Sequence, residues 1–551
     1  MDERADTTAV FNQSPPYGGL NLFTADPLIN GAASGFPDSV RQDLSDSGAF
    51  WGSMEAREIA RLANRHIPEL ERYDGKGHRI DQVAFHPSYH ALMRRSVQAG
   101  LHCSAWSGPD DEESLRNRAR AIRLYITAQT ECGHICPMTM TNAALASLRR
   151  APDLVDEWGP QVVARSYDQS SLPLRQKRGV TLGMGMTERQ GGTDVRANTT
   201  RAVAASDGLY ALTGHKWFFS APMSDGFLVL AQAPGGLTAF LMPRILPDGT
   251  RNAMRLERLK DKLGNRSNAS AEVLLEGALA SRVGDEGRGI ATILEMVTLT
   301  RLDCAVASAG LMRAGFAEAV HHLRHRSAFG KPLIDQPLMV RVLSDMALDL
   351  AAAVALTIRL AEAFDLAATQ PAEAAYARLM TPAVKYWVCK VAPTFLAEAM
   401  ECLGGNGYVE ESTLPRLYRE APVNAIWEGS GNVMALDVVR VLRGGGDTLR
   451  QVLGVIAGEL GPRAQSAVDV LAAAASIAAS DEGSTRMLVE QLAMTAAAAA
   501  LRRDFPAVFA DAFTETRLGR PWRATYGMVD ERFNNRALVD YLCPPNGGEA
   551  A

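Results

Sequence analysis

The sequence predicts a mainly α-helical protein organised around a small central β domain, with a further helical domain at its C-terminal end. Three observations carry that expectation. Long stretches on both sides of the middle repeat apolar residues every three or four positions, as packed helices do. Residues 170–285 are instead cut into short β-rich runs by Asp207-Gly208, Asp225-Gly226, Gly235-Gly236 and Asp248-Gly249. Finally, 551 residues exceed what one hydrophobic core normally holds, so several domains are expected.

Residues 1–48 are rich in Pro, Gly, Asn and Ser, as in Asn12-Gln13-Ser14-Pro15-Pro16-Tyr17-Gly18-Gly19, and read as an extended arm laid on other elements. Residues 49–169 read as a helical domain, with Ile59, Ala60 and Ala63 and then residues 115–128 at helical spacing. Within 170–285 the runs at 210–213, 217–219, 227–231, 237–242 and 272–275 follow without helices between them, which points to a small antiparallel sheet. Residues 286–445 read as a helical bundle, broken near Gly330-Lys331-Pro332, Gln370-Pro371 and Gly404-Gly405-Asn406-Gly407. Gly444-Gly445-Gly446 reads as a hinge or C-cap. Residues 446–551 form the C-terminal helical domain, in which the Ala run at 496–500 suits close helix packing.

With 47% hydrophobic and 22% charged residues the composition is that of an ordinary soluble globular protein, and a net charge of -5 offers no whole-chain reason to expect nucleic acid. The start, Met1-Asp2-Glu3-Arg4-Ala5-Asp6, lacks the apolar core of a signal peptide, and no uncharged apolar run reaches membrane-spanning length, so a cytoplasmic location with no membrane partner is expected. Seven scattered cysteines argue for reduced thiols rather than a disulfide framework. Cys132-Gly133-His134-Ile135-Cys136 beside Glu131 gathers ligating side chains, but the second ligand pair of a zinc site is missing and no metal is expected.

Two stretches carry chemistry. Residues 183–194, Gly-Met-Gly-Met-Thr-Glu-Arg-Gln-Gly-Gly-Thr-Asp, offer backbone N–H groups and two Thr hydroxyls to an anionic or carbonyl-rich ligand. This is no dinucleotide fingerprint, since Glu188 stands where the third glycine belongs and no strand-helix-strand unit surrounds it. Trp427-Glu428-Gly429-Ser430-Gly431-Asn432 sets a carboxylate beside an indole, followed by small residues that let a flat ligand approach the backbone. Taken alone, Glu428 reads as a solvated loop carboxylate.

Met186-Thr187-Glu188 with Gly191-Gly192-Thr193-Asp194 resembles the M-T-E-x-x-x-G-S-D signature of the acyl-CoA dehydrogenases, with Thr193 in place of Ser. Five further stretches follow in the family's order: Gly214-His215-Lys216-Trp217-Phe218-Phe219-Ser220, Lys262-Leu263-Gly264-Asn265-Arg266-Ser267, Arg326-Ser327-Ala328-Phe329-Gly330-Lys331-Pro332-Leu333, Leu403-Gly404-Gly405-Asn406-Gly407-Tyr408 and Ile426-Trp427-Glu428-Gly429-Ser430. Phe11-Asn12-Gln13 with Pro16, Asn21-Leu22-Phe23 and Asp26 is similar to the N-terminal arm of the AidB branch, induced in the adaptive response to DNA alkylation. Arg61-Leu62-Ala63-Asn64, Cys136-Pro137-Met138-Thr139-Met140-Thr141 and residues 258–270 resemble that branch too, and the match covers nearly all of residues 10–443.

The resemblance implies FAD between the sheet domain and the bundle. Met184, Gly185, Met186, Thr187, Gly191, Gly192 and Thr193 would contact the flavin edge, and Phe218, Phe219 and Ser220 would cover one ring face. Ile426, Trp427, Gly429, Ser430, Gly431 and Asn432 would complete the cofactor seat. Arg326 would reach the pyrophosphate of a neighbouring subunit's cofactor, with Phe329 at the adenine end, which implies a homotetramer. Gln336-Pro337 and Glu401 depart from the family pattern near that corner. Glu428 would be the general base that removes the α-proton of a short or branched acyl-CoA while the β-hydrogen leaves as hydride to the flavin, with an electron acceptor downstream. Trp427 replaces the family's more frequent Tyr and leaves acyl size open.

The AidB resemblance also implies an alternative, a flavoprotein that binds double-stranded DNA and protects it from alkylation. Arg440 is then the first contact residue, with Arg443, Arg502, Arg503, Arg517, Arg520 and Arg523 as a possible stripe and Trp522 or Tyr526 against the backbone. Residues 451–551, however, hold nine Arg, no Lys and twelve Asp plus Glu, a balance that does not suit phosphate neutralisation. Ordinary ion pairs on a solvated helix face are the competing expectation for those arginines.

Overall fold

The computed structural model describes residues 8–107, 114–444, 446–519 and 531–545. Its order is helices, sheet, long helices and a final helical layer. The arm is extended only at first. Asp26 accepts a hydrogen bond from the Leu28 amide at 3.0 Å and so caps the helix Pro27–Ala32, which buries Leu28 and Ile29. A second helix, Asp38–Trp51, follows.

The first helical region also contains a β-hairpin, β1 (Glu69–Tyr73) and β2 (Arg79–Ala84), that the helical reading of residues 49–169 lacks. Its turn is closed by Asp74, which accepts from the amides of Lys76 and His78 at 2.8 and 2.9 Å. β1 is almost wholly solvated, so it shows little apolar alternation; Arg79 ties the ribbon to the sheet domain by donating to the Leu256 carbonyl at 3.1 Å.

The sheet comprises β3 (Leu182–Gly185), β4 (Arg201–Ala204), β5 (Tyr210–Ser220), β6 (Gly226–Ala233), β7 (Gly236–Pro243), β8 (Met254–Leu259) and β9 (Ser270–Val283). Pairings run β6 to β7, β7 to β9, β9 to β5, β5 to β4 and back from β4 to β6, a closed circuit with β3 added beside β6 and β8 beside β9. Most are antiparallel, but β3 lies parallel to β6 (Leu182 opposite Gly226) and β4 meets β6 in parallel at Arg201 and Gln232. The wholly antiparallel expectation is thus corrected. β5 is also continuous where two separate runs were expected, because register shifts at residues 212–213 and 216–219 carry it past Gly214 as one strand.

Three long helices, Gly289–His325, Pro337–Leu366 and Pro371–Cys402, form the bundle, and the last two begin with Pro in the first turn, where its missing N–H costs nothing. One apolar cluster runs from Trp51 and Tyr125 through Phe316, Leu350 and Trp387 to Leu488 and Leu538, so the C-terminal helices share the bundle's core. The Ala run is buried there: Ala496, Ala497, Ala498, Ala499 and Ala500 of the helix Thr485–Asp504 pack against the second and third long helices. Gly444 is the C-cap of the helix Gly431–Arg443, in right-handed conformation. Among the described residues no helix is long and apolar enough to cross a membrane.

Candidate functional site

Glu428 sits in the short loop between the helices Leu414–Asn424 and Gly431–Arg443. Its φ of 59° is left-handed, a conformation a non-glycine residue keeps only when its surroundings impose it. The imposing groups come from two long helices. Arg301 Nε donates to the Glu428 carbonyl at 3.1 Å while its Nη1 reaches Asp437 at 2.7 Å, and Lys385 Nζ donates to the Gly429 carbonyl at 2.8 Å. The half-buried carboxylate accepts from Thr300 Oγ1 at 2.9 Å. Burial raises the Glu428 pKa above the ordinary glutamate value, opposed by Thr300, Lys385 and Arg301.

The glycine-rich segment is held from below by Glu188. That carboxylate is fully buried and accepts from the Thr199 amide at 2.7 Å, Thr200 Oγ1 at 2.6 Å, Gln190 Nε2 at 2.7 Å and Lys216 Nζ at 3.0 Å. Burial alone would raise its pKa, but Lys216 and these donors hold it below the usual carboxylate range. Glu188 therefore organises the loop and does not face a ligand. Thr187 accepts from the Trp217 amide at 3.0 Å, and a Cβ on Gly192 would stand 2.4 Å from Thr187 Oγ1, so the segment folds tightly onto β5 while Gly191, Gly192 and Thr193 stay exposed.

Of the three β5 residues expected to cover a flavin face, the structure withdraws Phe219. Strand alternation turns it into the sheet core against Phe227, and a Cβ on Gly185 would lie 2.4 Å from its ring. Phe218 is 55% exposed, and Ser220 Oγ lies 3.0 Å from Ser270 Oγ.

The sheet side and the bundle side meet at Cys136. Burial pushes its thiol up to about 12; Lys262 opposes this, Glu428 adds to it, and Ser220 and Asn268 oppose it. Trp427 packs on the apolar cluster around Cys136 and Met140, which Met184 and Met186 also border. Among the described residues two buried polar atoms here have no partner, Trp427 Nε1 and Asn268 Oδ1. Half-buried Met184, Met186 and Trp427 on one apolar cluster, with unpartnered donor and acceptor atoms nearby, fit a flat heteroaromatic group such as a flavin. Ile426 is 65% exposed beside it, Gly429 and Gly431 are half-buried, and Ser430 and Asn432 are exposed. Thr300, Arg301, Lys385, Cys136 and Asn268 belong to no motif taken as a site; charged groups inside the apolar helices Gly289–His325 and Pro371–Cys402 are the signal that marks Arg301 and Lys385.

Arg326 and Phe329 are not brought to Glu428. Arg326 follows the helix that carries Thr300, so at ~1.5 Å per residue the two lie roughly 40 Å apart. Its Nη1 donates to the Asn12 carbonyl at 3.1 Å, the Asn12 side chain pairs with Ser327, and Phe329, at φ 52°, is 98% exposed. Glu131, beside the Cys132 to Cys136 cluster, is instead a structural acceptor for His134 Nδ1 at 2.6 Å, Ser267 Oγ at 2.8 Å and Asn64 at 2.9 Å.

Ion pairs occupy four of the described arginines of the expected DNA stripe. Arg502 pairs with Asp511, Arg503 with Glu362 at 2.6 Å, and Arg517, its side chain only 4% exposed, with Asp345 and Asp349 at 2.7 and 2.9 Å. Arg443 lies 3.8 Å from Glu482, and Arg440 is exposed. Arg520, Trp522, Arg523 and Tyr526 lie outside the described residues.

Residues 12–169 match the family model of the adaptive response protein AidB N-terminal domain, residues 183–278 that of the acyl-CoA dehydrogenase middle domain, and residues 287–443 that of the acyl-CoA dehydrogenase C-terminal domain. The chain is 52% identical over 438 residues to AidB of Escherichia coli (strain K12), covering 79% of this chain and 80% of that protein. It is 32% identical over 456 residues to acyl-CoA dehydrogenase family member 11 of Caenorhabditis elegans, covering 79% and 73%. Among solved structures, C. elegans ACDH-11 in complex with C11-CoA is similar at a TM-score of 0.82 and 28% identity, covering 99% of this chain and 94% of that one. An acyl-CoA dehydrogenase from Bacillus anthracis complexed with FAD shares the fold at a TM-score of 0.67 and 16% identity, covering 92% and 85%.

Proposed function

The chain belongs to the acyl-CoA dehydrogenase family, in the branch with an AidB N-terminal domain, and from that premise we propose that it is an FAD-dependent dehydrogenase that desaturates an acyl-CoA at its α,β-carbons with Glu428 as base. The carrying observation is Glu428 itself: a half-buried carboxylate in left-handed backbone, pinned by Thr300, Arg301 and Lys385 and preceded in the chain by Trp427 with its unpartnered indole N–H. Thr187, Gly191, Gly192, Thr193, Phe218 and Ser220 would hold FAD from the sheet side, and Ile426, Trp427, Ser430 and Asn432 from the bundle side.

When bound, FAD supplies the acceptor for the hydride that leaves the β-carbon. The protein's share is to take the α-proton on the Glu428 carboxylate and to offer amide N–H groups to the thioester carbonyl, whose polarisation makes that proton acidic. A raised pKa suits Glu428 to this, since a base works best when its conjugate acid titrates near the working pH. A short or branched acyl chain, a separate electron acceptor and a homotetramer in which Arg326 and Phe329 serve a neighbour's cofactor complete the proposal. The relative solved with C11-CoA supports an acyl-CoA ligand. Anaerobic mixing of the FAD-loaded protein with a panel of acyl-CoA thioesters tests it: bleaching of the flavin absorbance by at least one is expected, and a protein that takes up no FAD contradicts it.

A further inference from the structure

We propose that Lys390 and Arg486 form a phosphate-binding seat that holds the phosphate groups of a nucleotide ligand of the Glu428 site. The inference rests on the function proposed above and assigns a role to a residue, Arg486, that lies beyond the segment matched by the acyl-CoA dehydrogenase models, which ends at residue 443.

The two cations converge on one point. A Cβ on Gly431 would stand 2.7 Å from Lys390 Cε, 3.1 Å from Arg486 Nη2 and 3.3 Å from Tyr386 Cε2. With glycine here both side chains lie against this backbone, three residues after Glu428; a Cβ would push them aside. They also flank one phenol, Lys390 Nζ at 5.5 Å and Arg486 Cζ at 5.7 Å from the Tyr386 ring centroid.

This gathering of like charge is compensated only in part. Among the described residues neither Lys390 nor Arg486 has an ion-pair partner within 4 Å, and Glu490 is the one carboxylate whose field reaches Lys390. Asp437, the acid of the adjoining helix, is taken by Arg301 and Arg378. Arg440 on that helix adds positive charge, while Arg443 faces Glu482 at 3.8 Å. Partial burial lowers the Lys390 pKa and the nearby Arg486 lowers it further, the behaviour of a cation crowded by another. Ser430, although the N-cap residue, makes no side-chain bond to its own helix and leaves its hydroxyl for another partner. An anion placed between the two cations would relieve the repulsion, and a phosphate matches the fork of an arginine and the point charge of a lysine. FAD and acyl-CoA both carry such groups.

The test uses the full chain and the variants Lys390→Met, Arg486→Gln and their double, with FAD and with a non-reducing acyl-CoA analogue as separate ligands. The double variant is expected to bind one of the two at least tenfold more weakly, with a shallower dependence on salt and with circular dichroism and Tm unchanged; loss confined to FAD assigns the seat to its pyrophosphate, and loss confined to the CoA ligand assigns it to the CoA phosphates. In the wild-type protein, inorganic pyrophosphate should compete with that ligand, and the ligand should shield Lys390 from amine acylation, a readout that stands even where a variant fails to fold. Wild-type binding of both ligands with no loss in the double variant and no shielding overturns the seat and leaves the dehydrogenase proposal intact. A loss seen only for duplex DNA overturns it as well. A wild-type protein that binds neither nucleotide overturns both.

Discussion

Thr300 donates its hydroxyl to the Glu428 carboxylate at 2.9 Å, and its neighbour Arg301 holds the Glu428 carbonyl at 3.1 Å. Adjacent residues of one long helix thus govern the proton affinity and the backbone geometry of the same side chain. Removing the hydroxyl by Thr300→Val takes a hydrogen bond from the charged form of Glu428, a contact worth about 1.5–3 kcal/mol, so the acid limb of the pH profile of kcat/KM should move up by roughly one pH unit or more. An unmoved limb would show that Thr300 does not touch the working base.

Arg301→Met should cost more than activity. It removes one partner of the buried Asp437 and frees the strained Glu428 loop, and losing one member of a buried pair typically costs about 3–5 kcal/mol. Arg378, which also pairs with Asp437 at 3.2 Å, keeps the expectation near the low end. Urea denaturation of the variant against wild type measures it.

Glu188→Gln leaves Lys216 without its anion in a fully buried site. The variant should be destabilised by about 3 kcal/mol and should bind FAD more weakly, because the glycine edge hangs from that carboxylate. Replacing both partners, Glu188→Leu with Lys216→Met, should recover stability but not cofactor affinity, as read from melting curves and flavin titration.

Glu420 provides a pH test away from the cleft. Burial pushes this carboxyl up to about 7, with Glu131 adding to the rise and Arg416 opposing it. The folded state therefore keeps a proton that the unfolded chain has lost above the ordinary carboxylate value, and stability falls as pH rises between that value and about 7. The span corresponds to about 3 kcal/mol at most. Glu420→Gln should flatten this dependence in denaturant midpoints measured from pH 5 to 8.

The architecture was legible because its signals are local. Helical spacing in the bundle and Asp-Gly turns in the sheet domain report directly on chain segments, and the ordered motifs pointed to the family that the comparisons show. What stayed hidden depends on tertiary partners. The ribbon at Glu69–Tyr73 shows little apolar alternation because its strand is solvated, and the parallel pairing of β3 with β6 depends on how the chain returns rather than on residue types. Phe219 shares a motif with Phe218 but points to the other face of the same strand. Thr300 and Lys385 support Glu428 from positions 128 residues before and 44 residues before the carbonyl or carboxylate they hold, a distance no local pattern spans. Arg517 in the C-terminal segment reads as available surface charge until Asp345 and Asp349 are seen beside it.

The proposed role of Glu428 is to remove a substrate proton beside bound FAD. Glu428→Gln, loaded with FAD and mixed anaerobically with the acyl-CoA that bleaches the wild-type flavin, tests it most directly. Retained flavin, retained acyl-CoA binding and a reduction rate at least a thousandfold slower, on the order of the loss expected when a catalytic base is removed, is the predicted result. Bleaching at the wild-type rate would contradict the account and move the base elsewhere.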